Sequence, residues 1–517
     1  MENHLKIIEK AKQKTANLLT KALSKNIENP KFTEKQIEEY IDHLYKSFLL
    51  SFLTGYYHAQ KLTGEINLSD NFKTKFEEAI DHLKSMVPLK KEEFNKLSAH
   101  LKYRAFTIAK VSSEDLINKV KQIYTKTLEE GKTKAQTLQE VHKILPNLTA
   151  NHISTHYNNN VMIAYNAGRI RHFKDSKAVQ YLMYNAILDG HTTNLCRKLH
   201  GIVKPKDDPF WDKFYPPNHH NCRSVVYPVH KSQFGKKISY IEADEETGEL
   251  HRKKIKIKPS KLSPKIILKD TILSAEFQFR GNPEKAIYEI PDSIIDRSIK
   301  YGIIEDLIKS AKNYFCKIKL STEDECEKNI RKIFVKSKES FEDFIQEVLS
   351  SNFKPKGRLK PIGWLSKDLR ELIKQKGLNP KTPLIVINDK RIIHSIRDVK
   401  AVKGSSLTLK ELKNLPDILE NPEAVIFDKI HQNIIYVSSS LEDPKKNKII
   451  VEINYKLKKL KKLIKQEPEF KDILEIYKEL ENIDSINLVK TLGKVEKRQI
   501  IKHINANEYE IIKGKIH

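Results

Sequence analysis

Cysteine is scarce in this sequence, with four in 517 residues. That excludes a secreted disulfide scaffold, whose small domains depend on dense cross-linking. Long apolar runs are missing as well. The opening stretch, MENHLKIIEKAKQKTANLL, has no signal-peptide apolar core. The longest apolar patch, FLLSFLTGYY near residue 50, is too short and too interrupted to span a bilayer. The expectation is a chain made in a reducing cytoplasm, without a membrane partner. Acidic residues are short too, 67 Asp and Glu against 94 Lys and Arg, an excess of 27 positive charges. Such a balance points to a polyanion, most often nucleic acid. A lysine-rich solubilising surface is the other reading, and the spread of lysines over the whole chain leaves both open. No repeat of solenoid period is present. A length of 517 residues exceeds one ordinary core, so two to four domains are expected.

Proline is sparse over most of the chain, and helical patterns fill residues 1–175. In SSEDLINKVKQIYTKTLEEG, Ser113 reads as an N-cap, Leu116, Val120, Ile123 and Thr127 share a face, and Gly131 is the stop. KAQTLQEVHKIL reads as a second helix ending near Pro146, and a third runs through NHISTHYNNNVMIAYNAGRIRHF. The pattern changes over residues 176–235. AVQYLMYNAILD and SVVYPV read as strands bracketing a loop-rich segment. Residues 236–352 hold a charged hairpin, ISYIEADEETGELHRKKIKIK, a linker at 259–265 and a mostly helical spacer. Cys316 and Cys326 in that spacer read as ordinary thiols. NFKPKGRLKPIG, residues 352–363, reads as a second linker.

Beyond it, residues 360–517 read as α+β. SKDLRELIKQKG is a helix capped by Ser366 and stopped by Gly377, PLIVIND a strand, and TLKELKNLPDIL a helix. AVIFDK, NIIYVSS and KIIVEINYKL are strands at meander spacing, and residues 457–484 read as an inserted helical pair.

One stretch stands out chemically: PFWDKFYPPNHHNCRSVVYPV, residues 209–229. Pro216 and Pro217 fix two φ angles and stiffen the loop. Phe210, Trp211, Phe214 and Tyr215 suit a small satellite core. Cys196 and His200 have C-x₃-H spacing, and His219 and Cys222 have H-x₂-C spacing. Brought together by a hairpin, the two pairs supply a tetrahedral Cys₂His₂ set for a structural zinc, with His191 and His220 as spare imidazoles. An aromatic and proline knot that is stable without metal is the alternative.

The same region resembles the phage Mu F-like minor head proteins of the phage head morphogenesis family. The residues that carry the resemblance are Leu188–Asp189, Leu199 to Gly201, Asp207 to Asp212, Tyr215 to Asn218, Asn221 to Ser224, and the upstream NNNVMIAYNAGR. It covers about residues 50–230. Thr193 stands where other branches of that family carry the first cysteine of a C-x₂-C pair. The resemblance implies a structural protein of the virion, made in the host cytoplasm, working with portal and capsid proteins and close to packaged DNA.

The C-terminal region has its own candidate chemistry. In RIIHSIRDVK, His394, Arg397 and Lys400 lie at i, i+3 and i+6, roughly one helix face. A histidine beside two cations suits RNA cleavage: the imidazole moves the 2′-hydroxyl proton and the cations stabilise the crowded phosphate. Thr491 adds a hydrogen bond to phosphate. A surface histidine among basic residues is the bland reading. No Asp/Glu cluster suggests a two-metal nuclease, so no cofactor is expected for catalysis. IIHSIRDVK, LTLKELKNLPDILENPEAVIFD and NLVKTLG, within about 365–495, resemble the barnase–EndoU–colicin–RelE-like phage nucleases. That resemblance implies His394, Leu415 to Pro422 and Thr491 as family positions and RNA as substrate. The expected fold is therefore multidomain: a mainly α head-morphogenesis region with a loop-rich α+β knot, a helical spacer, and a nuclease-like α+β domain. The alternative is a purely structural chain whose basic C-terminal domain clamps packaged DNA.

Overall fold

The computed structural model describes residues 2–65, 75–244, 247, 249–261, 266–268, 271–273, 282–316, 323–336, 338–350, 353–355, 357–395, 404–456 and 485–517. The chain divides into two compact units, Met1–Ile290 and Pro291–His517.

The first unit is a helical bundle with a small sheet at its chain end. Its helices are α1 (Glu2–Ser24), α2 (Glu34–Leu62), α3 (Phe76–Met86), α4 (Lys91–Glu129) and α5 (Lys134–Asp175). Two capping boxes open the long elements, Thr33 with Gln36 for α2 and Thr133 with Gln136 for α5. Gly131, at φ +83, turns the chain between α4 and α5 as expected for a left-handed stop. Two helix boundaries differ from the sequence reading. Ser113 is no N-cap but a buried residue inside the 39-residue α4. Pro146 does not end a helix but lies within the 42-residue α5. The face around it, Leu145, Thr149 and Ile153, is fully buried. That burial outweighs the one amide a proline removes. The face Leu116, Val120 and Thr127 is buried as the periodicity implied.

α2 and α5 cross at backbone contact. A Cβ on Gly55 would stand 1.9 Å from the Tyr165 carbonyl oxygen, and one on Gly168 would stand 2.0 Å from the Phe52 carbonyl oxygen. No side chain fits either place, so these two glycines set the interhelical distance.

After α5 comes a three-stranded antiparallel sheet in the order β2 (Val203–Pro205), β1 (Tyr181–Asn185), β3 (Val225–Val229). Two short helices, α6 (Asn194–Leu199) and α7 (Phe210–Phe214), fill its connections. The charged segment forms the hairpin read from the sequence, β4 (Lys237–Ala243) with β5 (Leu250–Lys256). A small pair β6 (Ile266–Leu268) and β7 (Thr271–Leu273) precedes α8 (Pro283–Tyr288).

The second unit is a seven-stranded sheet in the order β14-β10-β11-β12-β13-β9-β8, flanked by helices. Its strands are β8 (Leu359–Trp364), β9 (Leu384–Asn388), β10 (Ala424–Asp428), β11 (Asn433–Ser439), β12 (Lys446–Lys456), β13 (Ser485–Val495) and β14 (Tyr509–Gly514). β10 to β12 form the antiparallel meander expected; β13 adds to β12 antiparallel and pairs with β9 in parallel. Strands such as AVIFD are buried on both faces and read as continuous apolar runs. Ser366 caps α13 (Lys367–Gln375), and Gly377 at φ +81 follows it, as read from the sequence.

Three features correct the sequence reading. Part of the 352–363 segment is no linker, because β8 is a buried edge strand. Pro361 is tolerated there because an edge strand need not donate on both sides. Lys360 is 1% exposed because its ammonium meets Asp292 (2.5 Å) and Ser340 (2.8 Å). Cys316 and Cys326 are bonded to each other rather than separate thiols. TLKELKNLPDIL is two short helices, Leu409–Lys413 and Leu415–Glu420, because Pro416 opens a new first turn. The helices α9 (Asp292–Lys300), α10 (Ile304–Phe315), α11 (Glu323–Phe334) and α12 (Lys338–Val348), read as a spacer, belong to the same compact unit as this sheet. The last labelled helix, α14 (Asp389–Ser395), follows β9 directly. Residues 457–484, read as a helical pair, lie outside the described residues.

Candidate functional site

The knot after α5 is built on four aromatics. Phe210, Trp211, Phe214 and Tyr215 are at most 2% exposed and pack edge-on or tilted against one another. Trp211 still satisfies its indole N–H, which donates to the Pro205 carbonyl (2.8 Å). Asp208 accepts the Phe210 amide (2.8 Å), the first amide of α7.

The unusual polar residues are tethers. Asp189 takes a bidentate pair from Arg223 (2.7 and 2.6 Å) and the His191 amide (3.0 Å). The Arg223 guanidinium holds the Asp189 carboxyl well below the usual carboxylate range. Asn221 sits at φ 54, a left-handed position that asparagine tolerates, and its amide donates to Asn159 of α5 (2.8 Å). Arg169 of α5 donates to the Val226 carbonyl of β3 (2.6 Å). Lys206 donates to the carbonyls of Lys174 (3.0 Å) and Ser176 (2.9 Å), satisfying the open end of α5. Asn159 and Lys206 had no assigned role in the sequence reading. A polar residue in an otherwise amphipathic helix, and a lysine just before an Asp-Asp pair, were the available signals.

Above the aromatics lies a sulfur and imidazole cluster. The ligand atoms of Cys196, His219 and Cys222 all stand within 4.8 Å of one another. Thr193, the residue at the missing cysteine position, caps α6 by accepting the Cys196 amide. The two sulfurs are 3.8 Å apart and unbonded. Two sulfurs on one tetrahedral zinc at about 2.3 Å would stand about 3.8 Å apart, so the spacing fits that ion. His219 Nε2 is 3.1 Å from Cys196 Sγ, about half an ångström closer than in such a site. His219 Nδ1 donates to the His220 carbonyl (2.9 Å), which leaves the Nε2 lone pair facing the sulfurs. Asn218 donates to the Tyr184 hydroxyl (2.9 Å), which lies 3.2 Å from Cys196 Sγ. The two buried sulfurs set each other's pKa: that of Cys222 is lowered, chiefly by the hydrogen bond from Cys196, while that of Cys196 is raised by the same pairing and by burial.

His200, the fourth predicted ligand, is not brought into this group. It ends α6, where its Nδ1 accepts the Ala186 amide (3.2 Å) and its ring lies on Tyr240. Burial pushes its pKa down. The predicted Cys₂His₂ set is thus a Cys₂His set. Of the spare imidazoles, His220 contacts Asn159 (2.6 Å) and His191 lies in the exposed turn at Asp189.

In the second unit, His394 is exposed on the last turn of α14, above the buried Ile392. Thr491 is exposed on β13, opposite Ile450 of β12. α14 packs against β13, so the fold puts the two elements that carry these residues side by side. Arg397 and Lys400 lie outside the described residues. The Leu415 to Pro422 stretch is structural at its apolar positions: Leu415, Ile418 and Leu419 are buried. Among the described residues no helix is long and apolar enough to cross a membrane.

A helix tethered by its polar residues to an aromatic, sulfur-bearing knot is the part of the chain that matches a known domain class. Residues 118–227 fit the family model described as Phage Mu protein F like protein, so the chain carries a Mu F-like domain. Two relatives match beyond that domain. The "Putative capsid assembly protein F" of Escherichia phage Mu is 23% identical over 373 residues, spanning 65% of this chain and 77% of that protein. The "Mu-like prophage FluMu F protein" of Haemophilus influenzae is 21% identical over 459 residues, spanning 81% of this chain and 97% of that protein. These matches support a role in phage head morphogenesis and capsid assembly. A share of 81% is more than the first unit, residues 1–290, can supply, so that match runs well into the second unit. No solved structure matches the chain.

Proposed function

We propose that this protein is a minor component of a phage or prophage head, assembled with portal and capsid proteins and carried in the virion beside packaged DNA. Its knot holds a structural zinc through Cys196, His219 and Cys222, with the fourth position filled from outside this set. Its second unit is a metal-independent endoribonuclease. His394 moves the 2′-hydroxyl proton as that oxygen attacks phosphorus, Arg397 and Lys400 stabilise the charge gathered on the phosphate, and Thr491 donates to it. The observation that supports the nuclease reading is the packing of α14 on β13, with His394 and Thr491 both exposed.

The test is cleavage of a generic single-stranded RNA by the full chain in EDTA, compared with His394→Ala and Thr491→Ala. Loss of cleavage by about a hundredfold or more in His394→Ala, with RNA affinity kept, is the expected result. Tight nucleic-acid binding without cleavage by the unmodified chain would defeat it. That outcome belongs to a second reading, in which the second unit is a basic clamp on packaged DNA. The match to the Haemophilus influenzae protein supports this alternative, because it reaches past the first unit. Zinc is tested separately by metal analysis of the purified chain and of Cys222→Ser. A chain that carries no zinc and gains no stability on adding it would leave the aromatics as the sole support of the knot.

A further inference from the structure

A second group of metal-ligating side chains lies inside the helical bundle. Asp115 comes from α4, and His152 and His156 come from α5, one helical turn apart. One ligand atom from each falls within 4.8 Å of the other two. Asp115 and His152 are buried at 6% and 8% exposure, and His156 is half-buried, so the group has a closed side and an open side. The imidazoles stand edge to face with centroids 4.7 Å apart.

The hydrogen bonds of His152 define which of its nitrogens is the ligand. Its Nε2 lies 3.0 Å from the Ser112 carbonyl oxygen, which can only accept, so Nε2 carries the proton. Its Nδ1 lies 3.3 Å from the Lys119 ammonium, which can only donate, so Nδ1 presents a lone pair. A ring whose far N–H is held by a backbone carbonyl is the arrangement that orients metal-bound histidines. A cation already reaches this lone pair. Its source is an exposed lysine whose long side chain can return to water.

We propose that Asp115, His152 and His156 form a binding site for one divalent ion of the zinc class, which displaces the Lys119 ammonium and ties α4 to α5. Two imidazoles and one carboxylate suit zinc, cobalt or nickel, whereas magnesium and calcium prefer all-oxygen sets. The proposal is independent of the function assigned above and of the sulfur cluster in the knot.

The experiment is cobalt titration of the metal-stripped full chain, read by bound equivalents and by absorption. Cobalt on Cys196 and Cys222 gives a thiolate charge-transfer band in the near ultraviolet, whereas cobalt on imidazole and carboxylate gives visible bands without it. His156→Ala is expected to lose one bound equivalent while any thiolate band stays unchanged. Lys119→Met keeps every ligand and removes the competing ammonium, so it is expected to bind cobalt and zinc severalfold more tightly. Equal cobalt binding by the unmodified chain and His156→Ala would overturn the site. So would a Lys119→Met chain that binds no more tightly, which would leave the cluster as a cage for the lysine alone.

Discussion

The knot and the second unit handle their polar residues in opposite ways. In the knot the rare side chains are spent on each other: Asp189 on Arg223, Asn159 on Asn221, Asn218 on Tyr184. In the second unit the charged residues that are buried, such as Lys360 with Asp292 or Lys494 with Glu411, brace the sheet. The residues proposed for chemistry, His394 and Thr491, stand exposed. A dense motif of unusual residues can therefore mark wiring, while the groups proposed for chemistry lie in an unremarkable stretch. The comparison predicts two kinds of mutant, one that unfolds without touching chemistry and one that does the reverse.

The strongest break should come from Trp211→Ala. It empties a nearly fully buried indole site and removes the bond to Pro205, which should cost about 3–5 kcal/mol in denaturant unfolding of the first unit. Gly168→Ala comes next. Its methyl group meets the Phe52 carbonyl oxygen, backbone that cannot move alone, so a loss of about 1–3 kcal/mol is expected. Asn218→Ala leaves the buried Tyr184 hydroxyl without its donor and should cost about 1–3 kcal/mol, with the proposed RNA cleavage unaffected.

Asp189→Asn sharpens the comparison through pH. The Asp189 carboxyl is held low by Arg223, so its contribution is complete above the ordinary carboxylate pKa, near pH 4. It is lost as pH falls through the lower folded value. The melting temperature of the unmodified chain should drop more steeply than that of the variant on acidification below about pH 4. A parallel fall in both would remove the tether from the account. The smallest stability effect belongs to His394→Ala, an exposed change expected within about 0.5 kcal/mol of the unmodified chain. The same variant is the one expected to lower the proposed RNA cleavage by about a hundredfold or more.

Much of the architecture was legible in the sequence because the patterns were local. The meander of the second unit follows from apolar runs at short spacing, and Gly131 and Gly377 stop helices where their freedom is needed. Pro146 and Ser113 misled because burial against neighbouring helices decides what a proline or serine does, and burial is not a local property. β8 was hidden because its lysine, proline and glycine are affordable only at an edge with Asp292 beside it. Within the knot, spacing located Cys196, His219 and Cys222 but misplaced His200, since spacing cannot tell which way a ring turns at a helix end. The arginine and lysine predicted beside His394 lie outside the described residues, so their part rests on the sequence pattern alone.

One feature of the first unit has a mechanical side. α5 is 42 residues long, about 60 Å of continuous helix. Toward its C-terminal end it is clamped three times, through Asn159, through Arg169 and through the carbonyls that Lys206 holds. Its N-terminal part is packed among the other helices. A rod fixed in this way acts as a boom: a push on the knot is delivered along its axis to the bundle instead of being absorbed by a hinge.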